Sequence, residues 1–484
     1  MLENLKPNQV FFWFEQLSAI PRGSGNSAAA SLWCAQVGRS LGLETLIDSI
    51  GNVLIRKPAS RGFEQFPAVI LQSHLDMVCA IAPGCGRDLS CQGVALRTDG
   101  SSVWADGSSL GADNGIGVAM MLALIASTDI PHPPLEALFT VDEETGMAGA
   151  LNLDPSWITA RRMINLDAEQ ENTIWAGCAG GNTSVVHLPF RKDTCGGACY
   201  RVTVSGLSGG HSGIDISKGR ANGAILLGRT LRMLQKKWSL RLVDVSCDGA
   251  VNAIPAAACG TFITNAESDA LDTEIQRIGR VFRREYRVTE PGLRLEASLL
   301  SVGVCPAAMD ESSTARIICL LACAPNGVQE MSADMPDTPQ TSLNLGCVRT
   351  QTDDVAFGFC IRSSVDTQAE MLNDRLSDLA RCLGGSAECS AGHPAWEFRL
   401  NSPLRQTAQS VYQALFHTTP SIRITHGGAE CGVFAAGIPD LDCISIGPDI
   451  SEVHTAQEVL SVPSVAHTWT FLLALLKKLG PCET

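Results

Sequence analysis

The chain has 484 residues, of which 45% are hydrophobic and 18% charged, with a formal net charge of −14. That length exceeds what one growing hydrophobic core supports, so two or three domains are expected, and the composition excludes a disordered or coiled-coil chain. The acidic balance, with no basic stripe anywhere, excludes nucleic acid and an anionic membrane surface as favoured partners.

The first segment lacks the basic, apolar and small-residue regions of a secretory signal, and no apolar run is long enough to span a bilayer, so a cytoplasmic protein is expected. Apolar residues at helical spacing predict helices over 9–20 and 27–41. Short apolar runs at 52–56, 68–71, 135–141 and 163–166 predict buried strands. This rhythm predicts a largely parallel sheet flanked by helices. From about residue 187 the pattern restarts, with strands over 200–204, 260–264, 341–348 and 357–362 and helices over 220–236, 273–284 and 367–383. After the Gly384, Gly385, His393, Pro394 region the first rhythm returns, with strands over 421–425 and 442–446 and a closing helix over 465–479. The expected fold class is therefore α/β: a catalytic domain with a mixed, largely parallel sheet, in segments 1–187 and 395–484, interrupted by an inserted α/β domain over 188–394.

Nineteen cysteines are scattered without a paired framework, so most are expected to be small buried residues. Cys195 and Cys199 have a spacing that suits a metal, yet no second pair or neighbouring histidine completes four ligands.

The residues that carry chemistry stand at the ends of these predicted strands. The run VILQSHLDMV ends a strand at His74, and the period of two puts Asp76 on the same side, where a carboxylate orients an imidazole that binds a metal. In SLGADNGIGVA, Asp113 lies in a Gly-rich turn before an apolar helix. It reads either as a helix cap or as a carboxylate shared by two metals. LFTVDEETGMAGA brings Asp142, Glu143 and Glu144 to the end of another strand, and MINLD delivers Asp167. Adjacent glutamates can diverge there, one towards a metal and one towards an attacking water. A buried strand and a Gly-Pro turn in ISIGPDISEVHTAQEVL then lead to His454. Each residue alone has an ordinary reading as strand termination or a solvated helix start; their recurrence at successive strand ends favours one site.

Together with IPRGSGN, NVLIRKPAS, ADGSSLGADNGIGVA, GCAGG, GGHSG, NAIP, APNGV, TSLNLG and HGGAECGVF, these segments resemble the metallopeptidase family of aminoacylases, glutamate-releasing carboxypeptidases and dipeptidases. The match is closest to its aminoacyl-histidine dipeptidase branch. The resemblance implies two Zn2+ ions, with Mn2+ or Co2+ as substitutes. Asp113 bridges them and is followed by a cis peptide, His74 and Asp167 complete one position, and Glu144 and His454 complete the other. It implies Glu143 as general base and then general acid, Asp76 as the partner of His74, and the inserted domain as a lid through which a homodimer forms. His211 in GGHSG resembles the lid histidine that stabilises the developing oxyanion, often from the partner subunit. Asn252 in NAIP and Arg362 in CIRSS resemble residues holding a substrate oxygen and the free C-terminal carboxylate.

The expected substrate is a small unblocked peptide, a dipeptide of the Xaa-His, carnosine-like type or of broad specificity. The sequence departs from the family at His454-Thr455-Ala456-Gln457-Glu458, where His-Ser-Pro-Asp-Glu is common, and at Ala168-Glu169-Gln170, which is less acidic than usual. Related deacylase or aminotripeptidase activity, and a non-catalytic metal- or peptide-binding role, are the alternatives. The last is disfavoured because a binding protein has no need of Glu143.

Overall fold

A computed structural model of the chain describes residues 1–303 and 306–480. Backbone contacts divide it into two units: Met1–Cys178, Trp396–Ile424 and Ala429–Thr484 form the first, and Ala179–Ala395 with Thr425–Gly428 the second. The first junction precedes the 187/188 position read from the sequence, because the strand Gly180–Pro189 lies in the sheet of the second unit. The second junction, Ala395/Trp396, falls one residue past the expected 394/395.

The sheet of the first unit is built from β1 (Glu44–Ile47), β2 (Val53–Lys57), β3 (Val69–His74), β4 (Leu135–Thr140), β5 (Arg162–Asn165), β6 (Thr173–Cys178), β7 (Ser421–Thr425) and β8 (Asp442–Ser445). Their spatial order is β1-β2-β4-β3-β5-β8-β6-β7. The sheet is mixed. Its centre, β4-β3-β5-β8, is parallel, whereas β1 on β2, β2 on β4 and β6 on β8 are antiparallel. The central strands carry continuous apolar runs and are buried along their length, as expected of strands covered on both faces.

Helices α1 (Asn8–Ser18), α2 (Ala28–Ser40), α3 (Ala112–Ala126) and α4 (Val462–Lys478) pack on this sheet. Helix α1 turns Val10, Phe11, Phe14 and Leu17 inward at the spacing of one helical face. Helix α3 is apolar all round and buried along its length, which makes it the central helix of the unit. It lies so close to the strand ends that a Cβ on Gly117 would sit 2.5 Å from Ser73 Oγ and 2.6 Å from the Leu166 carbonyl.

The second unit has its own core, from Val186 and Leu188 to Ala380, around a sheet whose strand pairs are all antiparallel among the described residues. Its main strands include Gly180–Pro189, Ala198–Ser205, Leu240–Cys247, Ala258–Thr264, Pro339–Thr350 and Asp354–Ser363. Helices Gly223–Gln235, Ser268–Glu285, Glu311–Cys323 and Asp366–Cys382 accompany them. Asn222 starts the first of these helices by accepting from the Ala224 and Ile225 amides at 3.0 and 3.2 Å. Among the described residues, no helix is long and apolar enough to cross a membrane.

Candidate metal centre

Because β4, β3, β5 and β8 run parallel, their C-terminal ends open on the same edge of the sheet, where α/β folds collect functional groups. His74 is the last residue of β3 and pairs with Thr140 at the end of β4, just before Asp142, Glu143 and Glu144. Asp167 follows β5, and Asp113 lies at the start of α3. The chain leaving β8 reaches His454 after a short strand at Ile450–Ser451. His454 has φ of 62°, a left-handed backbone that a residue with a Cβ adopts only when its surroundings enforce it. The peptide between Asp113 and Asn114 is cis.

Three groups of potential ligands converge: His74, Asp113 and Asp167; Asp113, Glu144 and His454; and His74, Glu143 and Glu144. Within each group the donor atoms lie within 4.8 Å of one another. Asp113 belongs to the first two and divides its oxygens between them. Its Oδ1 is 3.3 Å from His74 Nε2 and its Oδ2 is 3.2 Å from His454 Nε2. Asp167 Oδ1 lies 3.2 Å from His74 Nε2 and Glu144 Oε1 lies 2.9 Å from His454 Nε2.

Asp76 does not enter these groups. Its Oδ1 lies 3.4 Å from His74 Nδ1, and its carboxylate accepts the Glu143 and Glu144 amides at 3.1 and 3.3 Å and the Ser24 hydroxyl at 2.8 Å. One carboxylate thus orients the imidazole on β3 and fastens the loop that carries both glutamates. Burial alone would raise the Asp76 pKa, but the bonds from His74, Ser24 and the Glu143 amide outweigh it and hold it at about 2.

The electrostatics fit a cation. Burial pushes the Glu143 carboxyl well above the usual range, and carries both Asp167 and Glu169 to about 7. Hydrogen bonds to Asp113 and Glu144 raise the His454 imidazole to about 11. Asp167 Oδ1 is buried, with His74 Nε2 beside it at 3.2 Å. Imidazole and carboxylate donors without thiolate are the set that zinc, manganese or cobalt takes in place of these protons. The site residues present therefore fit divalent ions, and among the described residues none of the candidate groups contains a cysteine.

A profile of peptidase family M20/M25/M40 matches residues 70–478, a span running from β3 to the last residue of α4. The chain belongs to this family. An M20 peptidase hydrolyses peptide bonds and binds divalent metal, in agreement with the donor set at the strand ends. The chain is 36% identical over 481 residues to the cytosol non-specific dipeptidase of Escherichia coli K12, with 99% of each covered. It superposes on the crystal structure of aminoacylhistidine dipeptidase from Vibrio alginolyticus with a TM-score of 0.92 at 32% identity, covering 100% of this chain and 99% of that one. Aminopeptidase PepT from Bacillus cereus shares the fold, with a TM-score of 0.57 at 16% identity over 98% of this chain and 99% of that one.

The remaining sequence-derived residues lie in the second unit of this M20 chain. His211 Nδ1 accepts from the Gly213 and Ile214 amides, both at 3.3 Å. Burial, with Arg362 beside it, lowers the His211 pKa, so the ring is neutral. Arg362 Nη2 lies 3.4 Å from His211 Nε2. Arg362 and Asn252 also share a cavity of about 330 Å3, lined further by Asn182, Cys360 and His393.

Several participating residues escaped the sequence reading. Glu458 accepts the amides of Leu110, Gly111, Ala112 and Asp113. Glu430 accepts from Gln72 and Thr140 at 2.6 and 2.7 Å, and Gln72 in turn accepts from Asn165 at 2.6 Å, beneath the ends of β3 and β5. Arg22 is buried and donates to carbonyls next to His74 and Asp113. Their partners are main-chain atoms or distant side chains, which leave no mark in local sequence; their segments IPRGSGN and HGGAECGVF were visible only as stretches of family resemblance.

Proposed function

We infer that this M20 peptidase is a dipeptidase that cleaves small unblocked dipeptides, Xaa-His among them, using two zinc ions, with manganese or cobalt as substitutes. Asp113 would be shared by the two ions, with His74 and Asp167 holding one and Glu144 and His454 the other. The observation that carries this reading is the split of the Asp113 carboxylate, one oxygen towards each histidine. The names of the Escherichia coli and Vibrio alginolyticus relatives, each matched over nearly its whole length, support the substrate class.

The ions supply Lewis acidity, acidifying a water and polarising the scissile carbonyl. Glu143, held by the Asp76 clamp on its own amide, takes the proton of the attacking water and returns it to the leaving amine. His74 is kept in one orientation by Asp76. His211 is assigned to the oxyanion that develops on the scissile carbonyl. Arg362 is assigned to the free C-terminal carboxylate and Asn252 to a substrate oxygen.

In this reading the second unit is the lid, inserted in the chain between Cys178 and Trp396 of the catalytic unit, and it mediates homodimerisation. The site of action is the cytoplasm, as the name of the Escherichia coli relative says of that protein. No observation favours a deacylase, an aminotripeptidase or a non-catalytic binder. The test is chelation and add-back of zinc, manganese or cobalt, followed by a panel of β-Ala-His, Ala-His, Ala-Ala, Leu-Gly, a tripeptide and an N-acyl amino acid. Metal-restored release of amino acids from the dipeptides alone is expected; turnover confined to the tripeptide or the acylated substrate would overturn the assignment.

A further inference from the structure

The turn that presents Asp113 has an unusual backbone need. Gly111, at the start of α3, offers no side chain to cap the helix, and Asp113 and Asn114 depart from helical geometry within its first turn. The amides of Leu110 to Asp113 therefore need an acceptor from outside the helix. Glu458 is that acceptor. Its Oε2 takes the Leu110 and Gly111 amides at 2.8 and 2.9 Å, and its Oε1 takes the Ala112 and Asp113 amides at 2.8 and 3.2 Å. The side chain is only 2% exposed and stands four residues after His454, whose imidazole meets Asp113 Oδ2.

The opposite side of the same turn is held by Arg22, 1% exposed, which donates to the Gly111 carbonyl and, through Nη1, to the Leu75 and Asp76 carbonyls at 2.8 and 3.1 Å. Those two carbonyls directly follow His74. A Cβ on Gly111 or Gly115 would come within 2.5 Å of the guanidinium, so the glycines make room for it. Segments bearing His74, Asp113 and His454 come from distant parts of the chain, and these two buried side chains tie them together through main-chain atoms.

We propose that Glu458 is a positioning residue for both metals, fixing the turn that carries the bridging Asp113 to the loop that carries His454, with Arg22 completing the frame towards His74. This rests on the reading of those residues as metal ligands. Four N–H donors on two oxygens require a carboxylate: a glutamine has one acceptor oxygen and would turn its NH2 towards two of the amides. Glu458→Gln is therefore nearly the same shape and chemically wrong.

The experiment measures zinc affinity of the full-length chain by competition with a chromophoric chelator, beside near-ultraviolet circular dichroism and melting of the metal-free form. Glu136→Gln is the control. Glu136 is likewise buried and accepts the Thr159 and Ala160 amides in the same unit, away from the ligands. Glu458→Gln is expected to keep its fold and lose about 10- to 100-fold in zinc affinity, with kcat recovering in part at saturating zinc and KM little changed. Glu136→Gln is expected to lose stability without losing affinity. Wild-type affinity in Glu458→Gln, or an equal loss in both variants, overturns the proposal. Should Glu458→Gln fail to fold, Glu458→Asp keeps the charge but draws it back by one methylene; a folded Glu458→Asp with unchanged affinity overturns it equally. Failure of the wild-type chain to take up zinc would instead sink the underlying metal-centre reading.

Discussion

At the scale of single residues, adjacent side chains on one loop have separate tasks. Glu144 reaches His454 at 2.9 Å, whereas Glu143 lies beside His74 and Glu144. Glu143→Gln removes the proton acceptor but keeps shape, so zinc content measured by atomic absorption should stay at the wild-type level while kcat falls by about 10²- to 10⁴-fold. Retained turnover would show that another group moves the proton. Asp76→Asn should act differently. It weakens the hold on the His74 ring and on the Glu143 and Glu144 amides, so both zinc affinity, by about 10-fold or more, and kcat are expected to fall. Titration with a metal indicator alongside initial rates checks this.

Elements decide how closely these residues can approach. Helix α3 carries Asp113 to the strand ends only because Gly117 leaves its surface bare against Ser73 and the Leu166 carbonyl. Gly117→Ala should push α3 off the sheet at a cost of about 1–3 kcal/mol, read by denaturant unfolding, and lower zinc affinity with it. In the second unit, the helix Ser268–Glu285 illustrates a different stabilisation. Glu274 lies 2.7 Å from both Lys237 and Arg277, and these bonds, Arg277 first, hold its carboxyl at about 2 against an ordinary 4.5. A depressed native pKa stabilises above the unfolded value and loses that stabilisation as pH falls through the native one. Glu274→Gln should therefore melt lower than wild type at pH 7, with the difference shrinking between about pH 4.5 and pH 2. Because Lys237 and Arg277 are half exposed, the effect at pH 7 is about 1 kcal/mol or less.

Across the whole molecule the candidate ligands all belong to the first unit, while each unit has a separate apolar core. Chelation should therefore loosen the first unit selectively. Hydrogen exchange is expected to accelerate in β3, β5 and the start of α3 on addition of a chelator, with the strands Pro339–Thr350 and Asp354–Ser363 unchanged, and re-added zinc should restore protection. Uniform acceleration in both units would contradict the assignment of the ions to the first. By mass action the lost stability grows with zinc concentration over its dissociation constant, about 2.7 kcal/mol at a hundredfold excess.

The sequence by itself placed candidate metal ligands at the ends of β3, β4 and β5, because a buried parallel strand is a continuous apolar run and the first polar residue after it marks the open edge of the sheet. Motif resemblance supplied the cis peptide after Asp113 and the family. A mixed, largely parallel first sheet was expected from the sequence, but which strands run antiparallel was not, since pairing direction depends on partners distant along the chain. The sequence also placed the first junction late, because Gly180–Pro189 belongs to the sheet of the second unit. Only the tertiary structure divided the Asp113 oxygens between His74 and His454, and only it brought Glu458 and Arg22 to the same turn. Their partners are backbone amides and carbonyls, identical for every residue type, so no pattern of side chains along the chain can announce them.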